Sequence, residues 1–537
     1  MATVEAGVTH SRQSPAFVIG ASSLGTIFEW YDFYLYGLLA TIISAQFFSG
    51  VNDTTAFILA LAAFAAGFAV RPFGAILFGR IGDLVGRKNT FLVTMGIMGL
   101  STFLVGLLPS YATIGVAAPI LLVALRLLQG LALGGEYGGA ATYVAEHAPE
   151  GKRGLYTSFI QTTATLGLFA ALLVVIGIRA ALGEADFAAW GWRIPFIISI
   201  LLLGLSLWIR LQLDESPVFR EMKDAGEGSK APLTEAFARW SNLKLVLIAL
   251  VGAVAGQAVI WYAGQFYALF FLEKTLKVEG ATANILIAIA LALATPFFIL
   301  FGWLSDRIGR KKIILAGCAL AALTYFPLFA ALTTAANPAL AQAQASAPVI
   351  VHADPATCSV QFDPIGRSKF DTTGCDVAKS TLAKAGVPYS SETQGAGEVT
   401  VGDRRVEVGD LSTYGKRLGE AVAEAGYPTR ADPSAINKPM VVAILFVLAL
   451  YVTMVYGPIA ALLVELFPTR IRYTSMSLPY HIGNGWFGGF LPTVAFAMVA
   501  ATGDIYYGLW YPVVVALMTL VVGIIFLPET FRRRLTD

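Results

Sequence analysis

The stretch GRIGDLVGRK at residues 79–88 returns in nearly the same form as GWLSDRIGRK at residues 302–311. Each copy is a short basic turn between two long apolar runs, at equivalent places in the two halves of the chain. A repeated turn in a chain that is 56% hydrophobic and 13% charged indicates an internally duplicated membrane protein. Duplicated bundles of this kind carry solutes across membranes.

The apolar runs along the 537 residues are long enough to cross a bilayer as helices. We predict twelve spans, at 16–48, 55–78, 89–108, 116–144, 155–180, 190–211, 243–272, 283–304, 313–332, 439–467, 474–500 and 507–527. This pattern predicts an all-α membrane protein with two pseudo-symmetric halves of six helices. Residues 1–213 form the first half, and residues 243–333 with 439–537 form the second.

Basic residues fall in the predicted loops on one side of this bundle: Arg80, Arg87, Lys88, Lys152, Arg153, Arg307, Arg310, Lys311, Lys312, Arg470, Arg472, Arg532, Arg533 and Arg534. The positive-inside rule places these loops and both termini in the cytoplasm. Residues 1–15 show no short apolar core, so we expect no removable signal peptide. We expect a multi-pass protein of a bacterial inner membrane that acts as a monomer, without a cofactor and without nucleic acid as a partner.

Two polar segments interrupt the apolar pattern. Residues 214–242 join the halves, and their mixed charge predicts an amphipathic cytoplasmic connector or simply a solvated tether. Residues 334–438, which we call the insert, separate spans nine and ten on the periplasmic or extracellular side. Its residues 336–348 are rich in Ala, Gln and Pro and predict a flexible stalk.

The rest of the insert has the pattern of a small folded domain. Alternating residues at 398–401 and 405–408 flank Gly402-Asp403 and predict a hairpin, and residues 411–425 have helical spacing. Cys358 and Cys375 both lie here, and an oxidising compartment favours one disulfide between them. A metal site that adds His352 is the alternative, but the spacing matches no zinc pattern, and we predict no metal.

Charged residues inside the spans are the sharpest functional signal, because each costs about 2.5–3.5 kcal/mol at the bilayer centre. Glu29 and Asp32 are three residues apart and share one face of span one. Arg126 and Glu136 share span four but lie about 15 Å apart along it, too far to pair. Matching depths predict two pairs, Asp32 with Arg126 and Arg71 with Glu136.

These pairs suggest how the protein is energised. A carboxylate that faces an arginine in a medium of low dielectric can exchange that partner for a proton, which is the chemistry of a proton-coupled carrier. The same pairs could instead only fix helix register. We predict proton coupling at Asp32, Glu29, Arg126, Arg71 and Glu136. The chain has no phosphate-cradling loop and no local nucleophile signature, so we expect a protein that is not an enzyme.

Further motifs point to a family. They are RLLQG at 126–130, GGEYGG at 134–139, GWRIPF at 191–196, DESP at 214–217 and ELFPTR at 465–470. With the two turns, they resemble the major facilitator superfamily, and within it the metabolite:proton symporters and the related sugar porters. The resemblance covers all but the insert. It implies a conformational motif at Gly79, Asp83, Gly86, Arg87, Lys88, Asp306, Gly309 and Arg310.

The resemblance also implies a small carboxylate, zwitterion or osmolyte as the substrate, and pairing of the Asp32 and Arg126 positions during proton coupling. We predict substrate contacts at Arg71, Arg126, Gln129, Tyr137, Gln161, Gln257, Tyr262, Gln265, His481 and Asn484, although the aromatic members could serve only in helix packing. Two buried arginines favour import of a carboxylate. If both are used internally, a zwitterion or polyol is equally expected, and a non-transporting solute sensor is a third alternative.

Overall fold

The computed structural model describes residues 15–50, 53–212, 215–354, 356, 358–359 and 371–535. The expectation about a signal peptide concerns residues 1–15, of which 1–14 lie outside the described residues, as does Asp214 of the DESP motif. The long helices are α1 Pro15–Leu38, α2 Asp53–Leu84, α3 Arg87–Leu107, α4 Ala117–His147, α5 Arg153–Leu182, α6 Arg193–Leu211, α7 Trp240–Thr275, α8 Gly280–Ile308, α9 Arg310–Ala336, α10 Gly374–Ala385, α11 Leu411–Glu424, α12 Lys438–Leu466, α13 Thr469–Val499 and α14 Tyr507–Phe526.

Ten of these helices, α3–α9 and α12–α14, are long and apolar enough to cross a membrane, counted over the described residues. The predicted span at 16–48 is occupied by two consecutive helices, α1 and Ala40–Phe47. The backbone at Leu39 has φ −104° and ψ 8°, which ends α1 and starts a separate helix at Ala40–Phe47. Two pairs of helices meet in very short turns, α2 with α3 and α8 with α9. We call that end of the bundle the linker end, and the opposite end the insert end.

Each of these two turns contains a glycine with a positive φ, 135° at Gly86 and 111° at Gly309. A side chain is strained in this conformation. A Cβ atom would also collide with the carboxylate of Glu215 at the first turn and of Glu529 at the second. Those carboxylates accept hydrogen bonds from the first backbone N–H groups of α3 and α9, so the chain needs glycine at both turns.

Helices α7 and α13 depart from regular α-helical geometry. In α7, π-helical turns occur at Leu250–Val254, Ala263–Tyr267 and Phe271–Thr275. In α13, a π-helical turn spans Gly483–Gly488. Such turns are frequent at functional sites, and both helices contribute to the central cavity described below.

The segment between the halves packs onto the bundle rather than acting as a solvated tether. Its helix Pro217–Asp224 begins after Ser216, whose hydroxyl accepts a hydrogen bond from the Phe219 N–H group. Phe219 and Met222 are buried, and the guanidinium of Arg87 lies 4.6 Å from the Phe219 ring centroid. The linker is therefore part of the linker end of the bundle.

The insert folds as a small α/β unit. Its strands are β1 Val349–Ala353, β2 Ser390–Glu392, β3 Ala396–Val401 and β4 Arg404–Val406, in the order β2-β1-β3-β4. Strands β3 and β4 form an antiparallel hairpin at the predicted place, and β1 pairs parallel with β2 and antiparallel with β3. Helices α10 and α11 pack on the sheet. A disulfide joins Cys358 and Cys375, whose Cα atoms are 5.4 Å apart.

The flexible stalk predicted at 336–348 is wrong, because Pro338–Ser346 is a helix. Alanine is the best helix former, and the segment has proline at its first position and an Asn337 cap that accepts a hydrogen bond from the Leu340 N–H group. Leu340 and Ala343 are buried against the rest of the chain. The connection to the insert is thus ordered.

Candidate functional site

A central cavity of ≈ 30 Å³ lies between the two halves. Helices α1, α2, α4, α7, α12 and α13 line it with Thr26, Glu29, Trp30, Phe33, Arg71, Leu133, Tyr137, Trp261, Tyr262, Tyr456, Tyr480, His481 and Asn484. This volume holds about one or two water molecules. In this state the cavity is therefore too small to hold an organic metabolite.

Glu29 and Arg71 are the charged residues of the cavity lining. The Arg71 guanidinium lies 4.5 Å from the Phe68 ring centroid, and its Nε has no hydrogen-bond partner among the described residues. The predicted pair of Arg71 with Glu136 is wrong, because Glu136 Oε1 accepts from Arg210 Nη1 at 3.2 Å. Arg210 occupies the space that the missing side chain of Gly25 leaves on α1.

The predicted Asp32–Arg126 pair lies outside the cavity lining, within a buried polar network. Arg126 Nη1 donates to Gln129 Oε1 at 2.6 Å, and Gln129 Nε2 donates to Thr102 Oγ1 at 2.6 Å. The Thr102 hydroxyl lies close to the Asp32 carboxylate but donates to the Met98 carbonyl at 3.1 Å. Asp32 and Arg126 are close enough to interact as charges, and Asp32 Oδ1 has no hydrogen-bond partner among the described residues. The Tyr36 ring centroid lies 4.3 Å from the Arg126 guanidinium. Asp32 and Arg126 are thus linked electrostatically, and Gln129 and Thr102 lie beside them.

The other residues predicted to contact substrate fall into two groups. Tyr137, Tyr262, His481 and Asn484 line the cavity. Three glutamines instead hold residues around it: Gln161 donates to the Tyr137 hydroxyl at 2.8 Å, Gln257 exchanges hydrogen bonds with Asn484 at 3.1 Å, and Gln265 accepts from the Tyr34 hydroxyl at 3.2 Å. His481 is 2% exposed, and neither ring nitrogen has a partner among the described residues.

Aromatic contacts between α1 and α7 close the cavity toward the insert end. The rings of Trp30 and Trp261 lie 5.4 Å apart, and Tyr34 stacks on Phe266 at 6.0 Å. The prediction of site residues missed Trp30, Phe33, Tyr456, Tyr480 and Arg210. A usable signal existed for Tyr456, which directly precedes the helix-interrupting Gly457-Pro458 pair.

The linker end is closed by acids of one half that cap helices of the other. Asp83 of α2 accepts from the backbone N–H groups of Tyr473 and Thr474, at 3.3 and 2.9 Å, where α13 begins. Asp306 of α8 accepts from those of Gly154 and Leu155, both at 2.8 Å, where α5 begins. A carboxylate is favourable at a helix N-terminus. The duplicated motif therefore forms two equivalent locks between the halves.

Buried ion pairs surround these two locks. Arg87 pairs with Asp83 at 2.8 Å, Arg310 with Asp306 at 2.7 Å and with Glu465 at 3.0 Å, and Arg472 with Glu146 at 2.7 Å. At Gly79 the helix packs closely on α13, because an added Cβ would come within 2.9 Å of Thr474 Cα. Lys88 Nζ donates a hydrogen bond to the Leu211 carbonyl at 3.0 Å. Every residue of the predicted conformational motif thus lies at this closed end.

The segment after α14 also binds here. Arg153 Nη1 donates to the Arg533 carbonyl at 2.7 Å. The Leu535 carbonyl accepts from Thr469 Oγ1 at 2.8 Å and from Arg472 Nη2 at 2.9 Å, and the Leu535 side chain is buried. Because Arg153 belongs to the first half and Arg472 to the second, this tail holds both halves together.

Two family profiles match the chain. One, described as "Sugar (and other) transporter", matches residues 17–235 and 419–537. The other, described as "MFS/sugar transport protein", matches residues 139–353. Together the two matches cover both halves of the bundle.

Three characterised bacterial proteins are similar in sequence. The chain is 38% identical over 323 residues to the alpha-ketoglutarate permease of Escherichia coli K12, covering 60% of this chain and 72% of the permease. It is 37% identical to the shikimate transporter of the same organism, covering 58% and 71%. It is also 37% identical to the proline/betaine transporter of Salmonella typhimurium, covering 56% and 61%.

Solved structures with the same fold include the proton:xylose symporter XylE bound to 6-bromo-6-deoxy-D-glucose. That structure has a TM-score of 0.64 and 15% identity, and the match covers 97% of this chain and 98% of that one. A partially occluded, inward-open form of XylE from E. coli has a TM-score of 0.55 and 17% identity, with coverage of 96% and 98%.

Proposed function

This chain belongs to the sugar and other transporter family of the major facilitator superfamily, and on that premise we propose that it is a proton-coupled symporter that imports a small organic metabolite by alternating access. The cavity between two halves, closed at both ends, supports this proposal. In the proposed topology α1 and α2 complete twelve spans, both termini are cytoplasmic, and the insert lies on the outer side.

We place proton coupling at Asp32, Glu29 and Arg126. Supporting this, Asp32 is buried and is close enough to Arg126 to interact with it as a charge. A proton on Asp32 removes the charge that compensates Arg126, so protonation changes the interactions between α1, α3 and α4. Glu29 lies one helical turn from Asp32 on the cavity wall, so protonation of Asp32 affects the surroundings of a bound substrate.

The substrate we favour is a small carboxylate, and the observation that carries this choice is Arg71. Its guanidinium faces the cavity beside Phe33 and Phe68 and does not pair with Glu136, which accepts from Arg210 instead. An arginine fork recognises a carboxylate bidentately. Relatives named for alpha-ketoglutarate and shikimate transport support the same class.

The test is uptake into proteoliposomes with and without an inward proton gradient. Competition by a panel of dicarboxylates, monocarboxylates, betaines and sugars then identifies the class. Arg71→Gln is expected to abolish competition by carboxylates, whereas Arg80→Gln, at an exposed position of the same helix, leaves it intact. Competition only by uncharged solutes refutes the carboxylate proposal, and binding without uptake favours a sensor.

A zwitterion is the second candidate, because Glu29 faces the same cavity as Arg71. The rings of Trp30, Trp261 and Tyr262 also line this cavity. Aromatic faces attract quaternary ammonium groups. The similarity to a proline/betaine transporter supports this alternative. Stronger competition by betaines than by dicarboxylates, lost in Glu29→Gln, would favour the zwitterion.

A further inference from the structure

A lysine just beyond α7 fastens the insert to the bundle. Lys277 Nζ donates to the carbonyl of Ala385, at the end of α10, and to that of Pro428 at 2.8 Å. The Lys277 carbonyl accepts from the Ala431 N–H group at 3.1 Å. Its backbone has φ 59°, which is uncommon for a residue with a side chain. This loop is therefore shaped to fit the insert.

The other anchors of the insert lie in the same half of the bundle. Asn337 Nδ2 donates to the Leu276 carbonyl at 3.0 Å, next to the lysine. The Tyr389 N–H group donates to the Gly503 carbonyl at 3.1 Å, and its ring lies where a side chain on Gly503 would be. The insert thus holds together the ends of α7, α9 and α13.

The element held by Lys277 is the helix that closes the cavity toward the insert end. Trp261, Gln265 and Phe266 of α7 make the contacts with α1 described above. Two π-helical turns, Ala263–Tyr267 and Phe271–Thr275, lie between Trp261 and Lys277. Interruptions of this kind allow a helix to change its path locally. Helix α7 can therefore bend at its π-helical turns, and its C-terminal end is fixed to the insert through Lys277.

We call the aromatic contact between α1 and α7 the insert-end gate. We propose that the insert regulates this gate, because its hydrogen bonds with Lys277 hold the end of α7 and keep the α1–α7 contact closed. Opening the gate then requires α7 to bend at its π-helical turns or the insert to release Lys277. This regulation rests on the proposed alternating access but not on proton coupling or on the identity of the substrate.

The test measures the gate directly. Spin labels at Ala112→Cys, in the loop between α3 and α4, and at Glu279→Cys, just after Lys277, report the separation of the two halves at exposed sites. Background labelling is avoided because Cys318 is buried and the other two cysteines form a disulfide. Lys277→Met removes the two donated hydrogen bonds, and Lys416→Met removes a similar charge from the exposed face of α11.

We expect Lys277→Met to raise the ratio of long to short distances roughly tenfold, the shift that loss of bonds from a charged donor predicts. Lys416→Met should leave the ratio unchanged. Tyr389→Ala, which loosens the anchor at Gly503, should shift it in the same direction as Lys277→Met. An unchanged distance distribution in both variants overturns the proposal. The distances are measured without substrate or gradient, so a failure of the proposed symport does not alter them.

Discussion

The rings of Tyr137 and Tyr480 stack face to face across the two halves, with their centroids 3.5 Å apart and their planes 3° from parallel. Tyr137 belongs to α4 and Tyr480 to α13, and each lies about 15 Å from the linker end of its helix. The Tyr480 hydroxyl is hydrogen-bonded to that of Tyr456 at 2.8 Å. This stack closes the cavity toward the linker end, opposite the Trp30–Trp261 contact.

Removing one ring of the stack should open the cavity toward the linker end. Tyr480→Ala is expected to let preloaded solute leave proteoliposomes without a gradient, because the stack contributes about 0.5–1.5 kcal/mol beyond its buried area. Tyr480→Phe keeps the ring and loses only the bond to Tyr456, so its efflux should stay near that of the unmodified protein. Equal efflux from the alanine and phenylalanine variants would contradict the role of the stack.

Coupling is tested by Asp32→Asn. The amide cannot take up and release the coupling proton as a carboxyl group does, so gradient-driven accumulation should disappear, whereas exchange of labelled for unlabelled solute should persist because it does not require proton release. Arg126→Ala should be as damaging, since it leaves the Asp32 carboxylate without its compensating charge. Uptake driven by an imposed proton gradient, measured beside exchange, separates the two activities. Undiminished uphill uptake by Asp32→Asn would refute the assignment.

The locks at the linker end should control the rate of alternation. Asp83→Ala leaves the Tyr473 and Thr474 N–H groups without their acceptor and removes the ion pair with Arg87, so interconversion of the two states should change more than substrate binding does. We expect a reduced maximal rate of transport with little change in the half-saturation concentration. Asp224→Ala, at an exposed site in the linker, is the control. A normal maximal rate with a raised half-saturation concentration would argue against the lock.

Glycine at the second turn should be required for stability. Gly309→Ala is expected to lower the free energy of unfolding by about 1–3 kcal/mol, because its backbone conformation strains any side chain and the new methyl group meets Glu529. Gly204→Ala, in open space on α6, should have no such effect. Thermal melting in detergent compares the two variants, and equal melting temperatures would disprove the requirement.

Acid should loosen the insert through Asp376. Burial disfavours its charged form, but hydrogen bonds from Ser359 and Thr372 outweigh this and hold the pKa of the carboxyl below its ordinary value. Its stabilising effect is therefore present above an unfolded pKa of about 3.9 and is lost as the pH falls through the folded pKa. Protease resistance of the insert in the full chain should drop at low pH, and Asp376→Asn should reduce it already at pH 7. A variant with normal resistance at pH 7 would contradict this.

Much of the fold could be predicted because it depends on local pattern. Long apolar runs locate most of the helices, and alternation at 398–401 locates β3. The prediction of a flexible stalk was wrong although helix propensity could have corrected it, because an Ala-rich run after Asn337-Pro338 is a capped helix. The sequence analysis did not predict the break at Leu39, two residues after Gly37.

The site was less predictable, because its contacts join residues far apart in the chain. Arg210 is 74 residues from Glu136, and the space it uses depends on the absent side chain of Gly25. Depth along helices correctly brought Asp32 near Arg126, but depth carries no information about rotation, which decides that Arg71 faces the cavity and Glu136 faces α6.

The burial of Leu535 has a practical consequence for handling the protein. A purification tag or fluorescent partner fused directly behind this residue begins at a carbonyl that Thr469 and Arg472 hold, so its bulk lies against the contact between the halves. Fusions at that position should be separated by a flexible spacer.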